Sequence, residues 1–178
     1  MSEYQNFINS KLSRSQWAGF DATYYPSQAM DYQKAIINWA CKKGRAAIFA
    51  DCGLGKTLMQ LAWARNIADK TGGKVLIIAP ITVIEQTGNE AIKFDISMGN
   101  IDIINYEKLH RINPSDYVGV VLDESSILKN FTGKVRQMLC DSFKNTPYKL
   151  CCTATPSPND FMELGNHSEF LGVMPYVE

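Results

Sequence analysis

Ala50-Asp51-Cys52-Gly53-Leu54-Gly55-Lys56-Thr57 stands between a short apolar run, AAIFA (46–50), and a longer amphipathic one, KTLMQLAWARNIAD (56–69). The first run reads as a buried strand and the second as a helix, so the eight residues form a strand-to-helix turn. Glycine at 53 and 55 lets the backbone curl until successive N–H groups converge on one point. The helix that follows adds its positive dipole end and its unpaired amides. Such a turn suits a nucleoside triphosphate. Gly53, Leu54 and Gly55 would line the phosphates, Lys56 would reach the β- and γ-phosphates, and the Thr57 hydroxyl would ligate Mg²⁺. The strict pattern G-x-x-x-x-G-K-[ST] asks for glycine where this chain has Ala50. The alternative is an ordinary turn that carries Gly-Leu-Gly-Lys-Thr by chance.

Outward from the loop the same alternation continues. VLIIA (75–79), IDIIN (101–105), VGVVLD (118–123) and YKLCCTA (148–154) read as strands, and the Asn113-Pro114-Ser115-Asp116 cluster reads as a turn. Helical patterns cover 28–43, a stretch from Thr82 as cap to about Phe94, 133–143 and 160–171. Apolar strands alternating with amphipathic helices predict an α/β fold of three layers, with a mostly parallel central sheet. The 178 residues suit a single domain over 1–178.

Composition narrows the classes further. An apolar fraction of 46% excludes disorder, and no stretch of about 18 apolar residues offers a membrane span. The first residues, MSEYQNFINSKL, lack the basic and apolar regions of a signal peptide. Cysteines at 41, 52, 140, 151 and 152 form no C-x-x-C pair, so neither a disulfide framework nor a structural metal is expected. Reduced thiols suggest a cytoplasmic protein. Eighteen basic residues balance eighteen acidic ones, so no strong electrostatic footprint for nucleic acid is present.

The strand VGVVLD ends in Asp123-Glu124-Ser125-Ser126. Two adjacent acids at the end of a buried strand are costly unless a cation is near. Beside a phosphate loop that cation is Mg²⁺: Asp123 would hold it, and Glu124 would polarise an attacking water. The bland alternative has both acids capping the next helix or facing solvent.

ADCGLGKT, then DESS at a strand end, then Cys152-Thr153-Ala154-Thr155-Pro156 together resemble motifs I, II and III of superfamily-2 helicases and translocases. In that family motif I is commonly A-x-x-G-x-G-K-T, which accounts for Ala50. Finer likenesses point to the Swi/Snf-type branch. Tyr32-Gln33 is similar to its Y-Q, and Gln33, 23 residues before Lys56, matches the glutamine that reads adenine. VLIIAPITVIEQ (75–86) resembles motif Ia, and IINYEKLHR (103–111) and ILKN (127–130) resemble the segments around motif II. Pro156-Ser157-Pro158-Asn159, Glu163-Leu164 and Phe170-Leu171 echo the stretch after motif III. Two departures stand out. Ser126 replaces the usual histidine or aspartate of motif II, and motif Ia has Gln86 near the place of a common tryptophan. Both suggest a divergent phage or bacterial member.

The resemblance implies the N-terminal RecA-like lobe of a P-loop ATPase, which would hydrolyse ATP with Mg²⁺ to move along DNA, with RNA as the alternative track. Ser126, Thr153 and Thr155 would couple nucleotide state to the rest of the motor. Pro80 and Thr82, and Asn105 and Tyr106, would touch nucleic acid, unless these are plain strand–helix connections. Family members complete the site with arginines from a second RecA-like lobe. The five arginines here (14, 45, 65, 111 and 136) form no such run, so lobe 1 alone is expected to be weakly active or inactive and to need that second lobe in cis or in trans. Two other readings stay open: a translocation subunit of a restriction or repair complex, and a non-hydrolysing nucleotide- or nucleic-acid-binding module. Trp17, Phe20, Tyr24 and Tyr25 read as packing residues, one of which could stack on adenine, and His110 and His167 have no evident role.

Overall fold

The computed structural model describes residues 18–129, 134–157 and 163–173. Trp17, Asn130, Gly133, Pro158, Asn159 and Asp160 lie outside the described residues. Five strands, β1 (Arg45–Phe49), β2 (Lys74–Ala79), β3 (Ile101–Asn105), β4 (Tyr117–Asp123) and β5 (Tyr148–Thr153), form one sheet in the order β1-β5-β4-β2-β3. Every pairing is parallel. Among the described residues five α-helices accompany them: α1 (Asp31–Lys43), α2 (Lys56–Thr71), α3 (Ile81–Lys93), α4 (Lys134–Ser142) and α5 (Glu163–Leu171). The expected three-layer α/β architecture is present, with an all-parallel sheet.

Each layer follows from its residues. The strands are near-continuous apolar runs because both faces are covered; Val75 to Ala79 and Val120 to Leu122 are fully buried. One core packs α1, α2 and the end of α3 on the first face, through Ile37, Leu61, Trp63, Ile67 and Ala91. The other packs α4 and α5 on the second face, through Leu139, Phe143 and Phe170. α2 lies under the middle of the sheet, and ten of its sixteen residues are buried. That explains its weak amphipathic stripe.

One local expectation is corrected. Thr82 does not cap α3: the helix starts at Ile81 behind Pro80, whose fixed φ suits a helix entry, and no side chain caps it. Between β3 and β4 the chain uses short 3₁₀ turns, Tyr106–Arg111 and Pro114–Asp116, and a third, Ser125–Lys129, follows β4. Such pieces are too short to leave a periodic signature.

Parallel pairing brings every strand's carboxyl end to one edge, where loops of α/β sheets bind ligands. Because β5 lies between β1 and β4, Phe49 pairs with Thr153 and Asp123 with Cys152. The phosphate-type loop, the Thr153 segment and the paired acids therefore stand side by side, although 100 residues separate Gly53 from Thr153.

Candidate functional site

The loop after β1 curls as its glycines allow. Gly53 and Gly55 sit at φ +81° and +76°, the left-handed region open to glycine at little cost, and α2 begins at Lys56. Gly55 has a second reason to lack a side chain, since a Cβ there would fall 2.3 Å from Gln33 Nε2. That amide fastens the loop. Gln33 Nε2 donates to Leu54 O over 3.1 Å, its Oε1 accepts from Met30 N over 2.9 Å, and Tyr32 Oη donates to the same Leu54 carbonyl over 3.2 Å. Gln33, expected to read adenine, is thus buried and tied to the protein at both ends, with one N–H and one lone pair left over. Lys56 Nζ donates to Ala50 O (2.9 Å) and Asp51 O (3.1 Å). A cleft of about 380 Å³ opens here, with Gln28, Met30 and Gln33 on one side, Gln86, Glu90 and Phe94 of α3 on the other, and Gly53, Gly55, Lys56, Thr57 and Leu58 between them.

The acids stand at the neighbouring strand end. Burial holds the Asp123 carboxyl above its usual range; the Gln60 amide beside it and the Lys56 ammonium pull the other way, and Glu124 adds to the rise. Lys56 is therefore within electrostatic reach of Asp123, so loop and acids share one site. Glu124 adopts φ +57°, a left-handed conformation that costs a non-glycine residue about 1–2 kcal/mol. Two hydroxyls hold it there. Thr153 Oγ1 donates to Glu124 Oε1 over 2.6 Å, and Ser126 Oγ donates to the same oxygen over 2.9 Å. Thr155 joins through its backbone, its N–H donating to Thr153 Oγ1 over 3.0 Å. Glu124 and the segment after β5 are thereby one hydrogen-bonded unit.

The structure also draws in residues that the sequence did not single out. His167 on α5 is buried, with Nδ1 3.3 Å from the Glu163 carbonyl oxygen and Nε2 3.1 Å from Ser125 Oγ. A carbonyl can only accept, so Nδ1 carries the proton and the Ser125 hydroxyl donates to Nε2. The His167 ring also meets Phe49, the last residue of β1, edge to face at 5.3 Å. α5 is pinned in this way to the strand before the loop and to the segment that carries the acids. Burial pushes the imidazole pKa below its usual value. Gln60, one turn beyond Lys56 on α2, is fully buried, and neither of its amide atoms completes a hydrogen bond. No periodicity signals either residue, because both roles depend on partners distant in sequence.

Other expected residues are placed differently. Asn105 is buried, accepting from Lys108 N over 2.9 Å, and Tyr106 turns inward, its hydroxyl donating to Asp123 O over 2.7 Å. Both of these side chains, expected as nucleic-acid contacts, are engaged within the protein. Ile81 and Thr82 are exposed at the uncapped start of α3. Phe20 packs edge to face on Tyr148 and Tyr24 lies beneath Arg65, both as packing residues.

With this geometry in view, solved structures supply the comparison. The chain superposes on a Sulfolobus solfataricus SWI2/SNF2 ATPase core in complex with dsDNA with a TM-score of 0.72 at 22% identity, covering 86% of this chain and 38% of that one. It matches the UvsW helicase from bacteriophage T4 with a TM-score of 0.68 at 15% identity, over 96% of this chain and 66% of that one. For the Pyrococcus furiosus Hef helicase domain the values are 0.67 and 19%, over 82% and 37%. The chain shares the fold of these ATPase and helicase domains. No protein-family model matches the chain, and no curated protein matches its sequence. The chain spans 38% of the archaeal ATPase core and 66% of the phage helicase. Among the described residues no helix is long and apolar enough to cross a membrane.

Magnesium is the metal that such a lobe implies, and the residues fit it. Mg²⁺ takes oxygen ligands and keeps several of its waters. The Thr57 hydroxyl and the Asp123 carboxyl are ligands of that kind, and the unpartnered amide of Gln60 lies beside Asp123.

Proposed function

We propose that the chain is the ATP-binding lobe of a nucleic-acid-dependent ATPase, a helicase or DNA translocase that works when joined to a second RecA-like lobe. What supports this most is the meeting of the curled loop and the paired acids at one sheet edge, with the Lys56 ammonium acting on Asp123.

Each residue has a task in this reading. Gly53, Leu54 and Gly55 present backbone N–H groups to the phosphates, and Gln33 uses its remaining donor and acceptor on adenine. Lys56 neutralises the β- and γ-phosphates. Thr57 and Asp123 would hold Mg²⁺, which neutralises developing charge on the phosphoryl group. Glu124, aimed by Thr153 and Ser126, orients the attacking water and accepts its proton. Any change in the contacts of the Glu124 carboxylate reaches Thr155 through Thr153, a direct route from nucleotide state to the loop after β5. Pro80, Thr82 and the uncapped amides at the start of α3 offer a phosphate contact for one DNA strand, with RNA as the alternative. Arginines of the second lobe contribute about 10³–10⁵ in turnover in related P-loop enzymes, so this lobe alone hydrolyses ATP slowly or not at all.

The test is calorimetric titration of the chain with Mg·ATP, followed by turnover assays with and without duplex DNA after the second lobe is supplied. Expected are nucleotide uptake by the single lobe, DNA-stimulated turnover only with both lobes, and loss of turnover with retained binding in Glu124→Gln. No uptake at millimolar Mg·ATP would overturn the proposal, and full activity of Glu124→Gln with both lobes would leave a non-hydrolysing binding module.

A further inference from the structure

Gln60 is the one side chain, among the described residues, that is fully buried with both an unpaired donor and an unpaired acceptor. An orphaned buried polar group is destabilising, and natural cores avoid it unless something compensates. Its position suggests the compensation. Gln60 lies one helical turn beyond Lys56 and Thr57, on the face of α2 that packs against β4, and its amide lies beside the Asp123 carboxyl. A leucine or methionine would fill that place in an apolar core without penalty. The glutamine faces the very carboxyl that would hold the metal.

We propose that Gln60 is a positioning residue of the magnesium site. With Mg²⁺ bound, its N–H group would donate to the Asp123 carboxylate and orient it, while its carbonyl would accept from a water of the hydrated ion. One amide can do both, because its donor and acceptor ends point in different directions. Gln60 does not touch nucleotide; it acts through Asp123 and a metal-bound water, as outer-shell partners of metal sites do. This inference rests on the nucleotide-binding reading above, and it assigns a task to a residue that neither the phosphate loop nor the acid pair includes.

The test compares the full chain with Gln60→Met, an unbranched apolar replacement of similar length, and with Gln60→Leu. Binding of a fluorescent ADP is measured across a Mg²⁺ titration and again in EDTA, and melting is measured without nucleotide. Expected is a ~10–100-fold loss of Mg²⁺-dependent affinity with metal-free affinity unchanged. The melting temperature of either variant should rise by ~2–4 °C, because the orphaned amide is gone. These opposite signs separate a metal-positioning role from a structural one, which would lower both stability and binding. Unchanged Mg²⁺ dependence in both variants, with the wild type binding normally, overturns the inference and leaves the nucleotide reading intact. Equal losses with and without Mg²⁺ overturn it as well. A wild-type chain that takes up no nucleotide overturns both.

Discussion

Replacing Thr153 by valine removes one hydroxyl and nearly conserves the shape of the side chain at the end of β5. That hydroxyl donates to Glu124 Oε1 over 2.6 Å and accepts from Thr155 N over 3.0 Å, and Thr153 is fully buried. A hydrogen bond to a charged group contributes about 1.5–3 kcal/mol. Glu124 is only partly buried, so water replaces some of what is lost, and the figure falls to about 2 kcal/mol. Thr155 is exposed, so its freed N–H adds little. For a chain of this size that is a fall of ~4–8 °C in melting temperature. Ser126→Ala removes the second donor to the same oxygen. With both hydroxyls gone, Glu124 is free to leave the left-handed conformation and recover about 1 kcal/mol of backbone strain. The double variant should therefore lose less than the sum of the single ones, by about 1 kcal/mol. Urea unfolding at pH 7 measures all three. A loss under about 0.5 kcal/mol for Thr153→Val, or strict additivity, would show that the hydroxyls do not hold this backbone.

Three further outcomes follow from particular contacts. Gly55→Ala forces a Cβ into the left-handed region and against Gln33 Nε2, at a cost of ~2–3 kcal/mol in urea unfolding; in a Gln33→Ala background only the backbone part, ~1–2 kcal/mol, should remain. His167 is held neutral by burial, its pKa below the ordinary 6.5, so its contribution is complete above pH 6.5 and is lost as pH falls through the folded value, by at most about 1.4 kcal/mol per pH unit. His167→Gln should flatten that part of the curve; Asp123, with its raised pKa, acts in the opposite sense in both proteins. Lys149 is buried, its Nζ donating to Phe170 O over 2.8 Å and lying 5.0 Å from the Phe170 ring, and its pKa is lowered to about 8 by burial and the Arg45 charge. The drop from 10.5 amounts to about 3 kcal/mol; less the lost hydrogen bond, Lys149→Met should gain about 2 kcal/mol at pH 7. That advantage should shrink above pH 8, where the wild type regains stability as the lysine loses its proton.

Much of the fold was legible because a parallel sheet covered on both faces writes its strands as bare apolar runs. IDIIN matches β3 to the residue, β1 is displaced by one residue, and the other three strands differ by one residue at one end. The loop was legible for a related reason: its glycines are required by backbone conformation, and conformation is local. Less visible was whatever depends on packing between distant segments. Asn105 and Tyr106 follow a strand at the edge that carries the site, which made them candidates for an open surface. Nothing in IINYEKLHR reveals that the tyrosine turns back to the Asp123 carbonyl. His167 seemed idle because its partners, Ser125 and Phe49, lie 42 and 118 residues away in sequence. Gln60 was hidden within a helix so thoroughly buried that its stripe is blurred, where two polar residues among ten buried ones carry no periodic signal.

Three unfavourable terms in this structure meet at one place. A carboxyl with its pKa raised by burial, an amide with no partner and a glutamate in a left-handed conformation all occur within the short span between α2 and the end of β4. Val75 to Ala79 in the same sheet achieve dry apolar packing, so a parallel sheet of this kind does not by itself demand these costs. Strain and buried polarity that concentrate at one place persist only where the surroundings over-determine them, and here they coincide with the strand ends that carry the glycine loop and the paired acids. A cation bound between Thr57 and Asp123 would ease two of the three at once, by balancing the carboxylate and by bringing waters for the Gln60 amide. The third, the Glu124 backbone, would remain under the control of Thr153 and Ser126. On that division, in the proposed function, a bound metal would govern how firmly nucleotide is held, and the two hydroxyls would govern where the Glu124 carboxylate points. Substitutions at Gln60 should therefore change binding while leaving the Glu124 backbone in place, and substitutions at Thr153 should do the reverse.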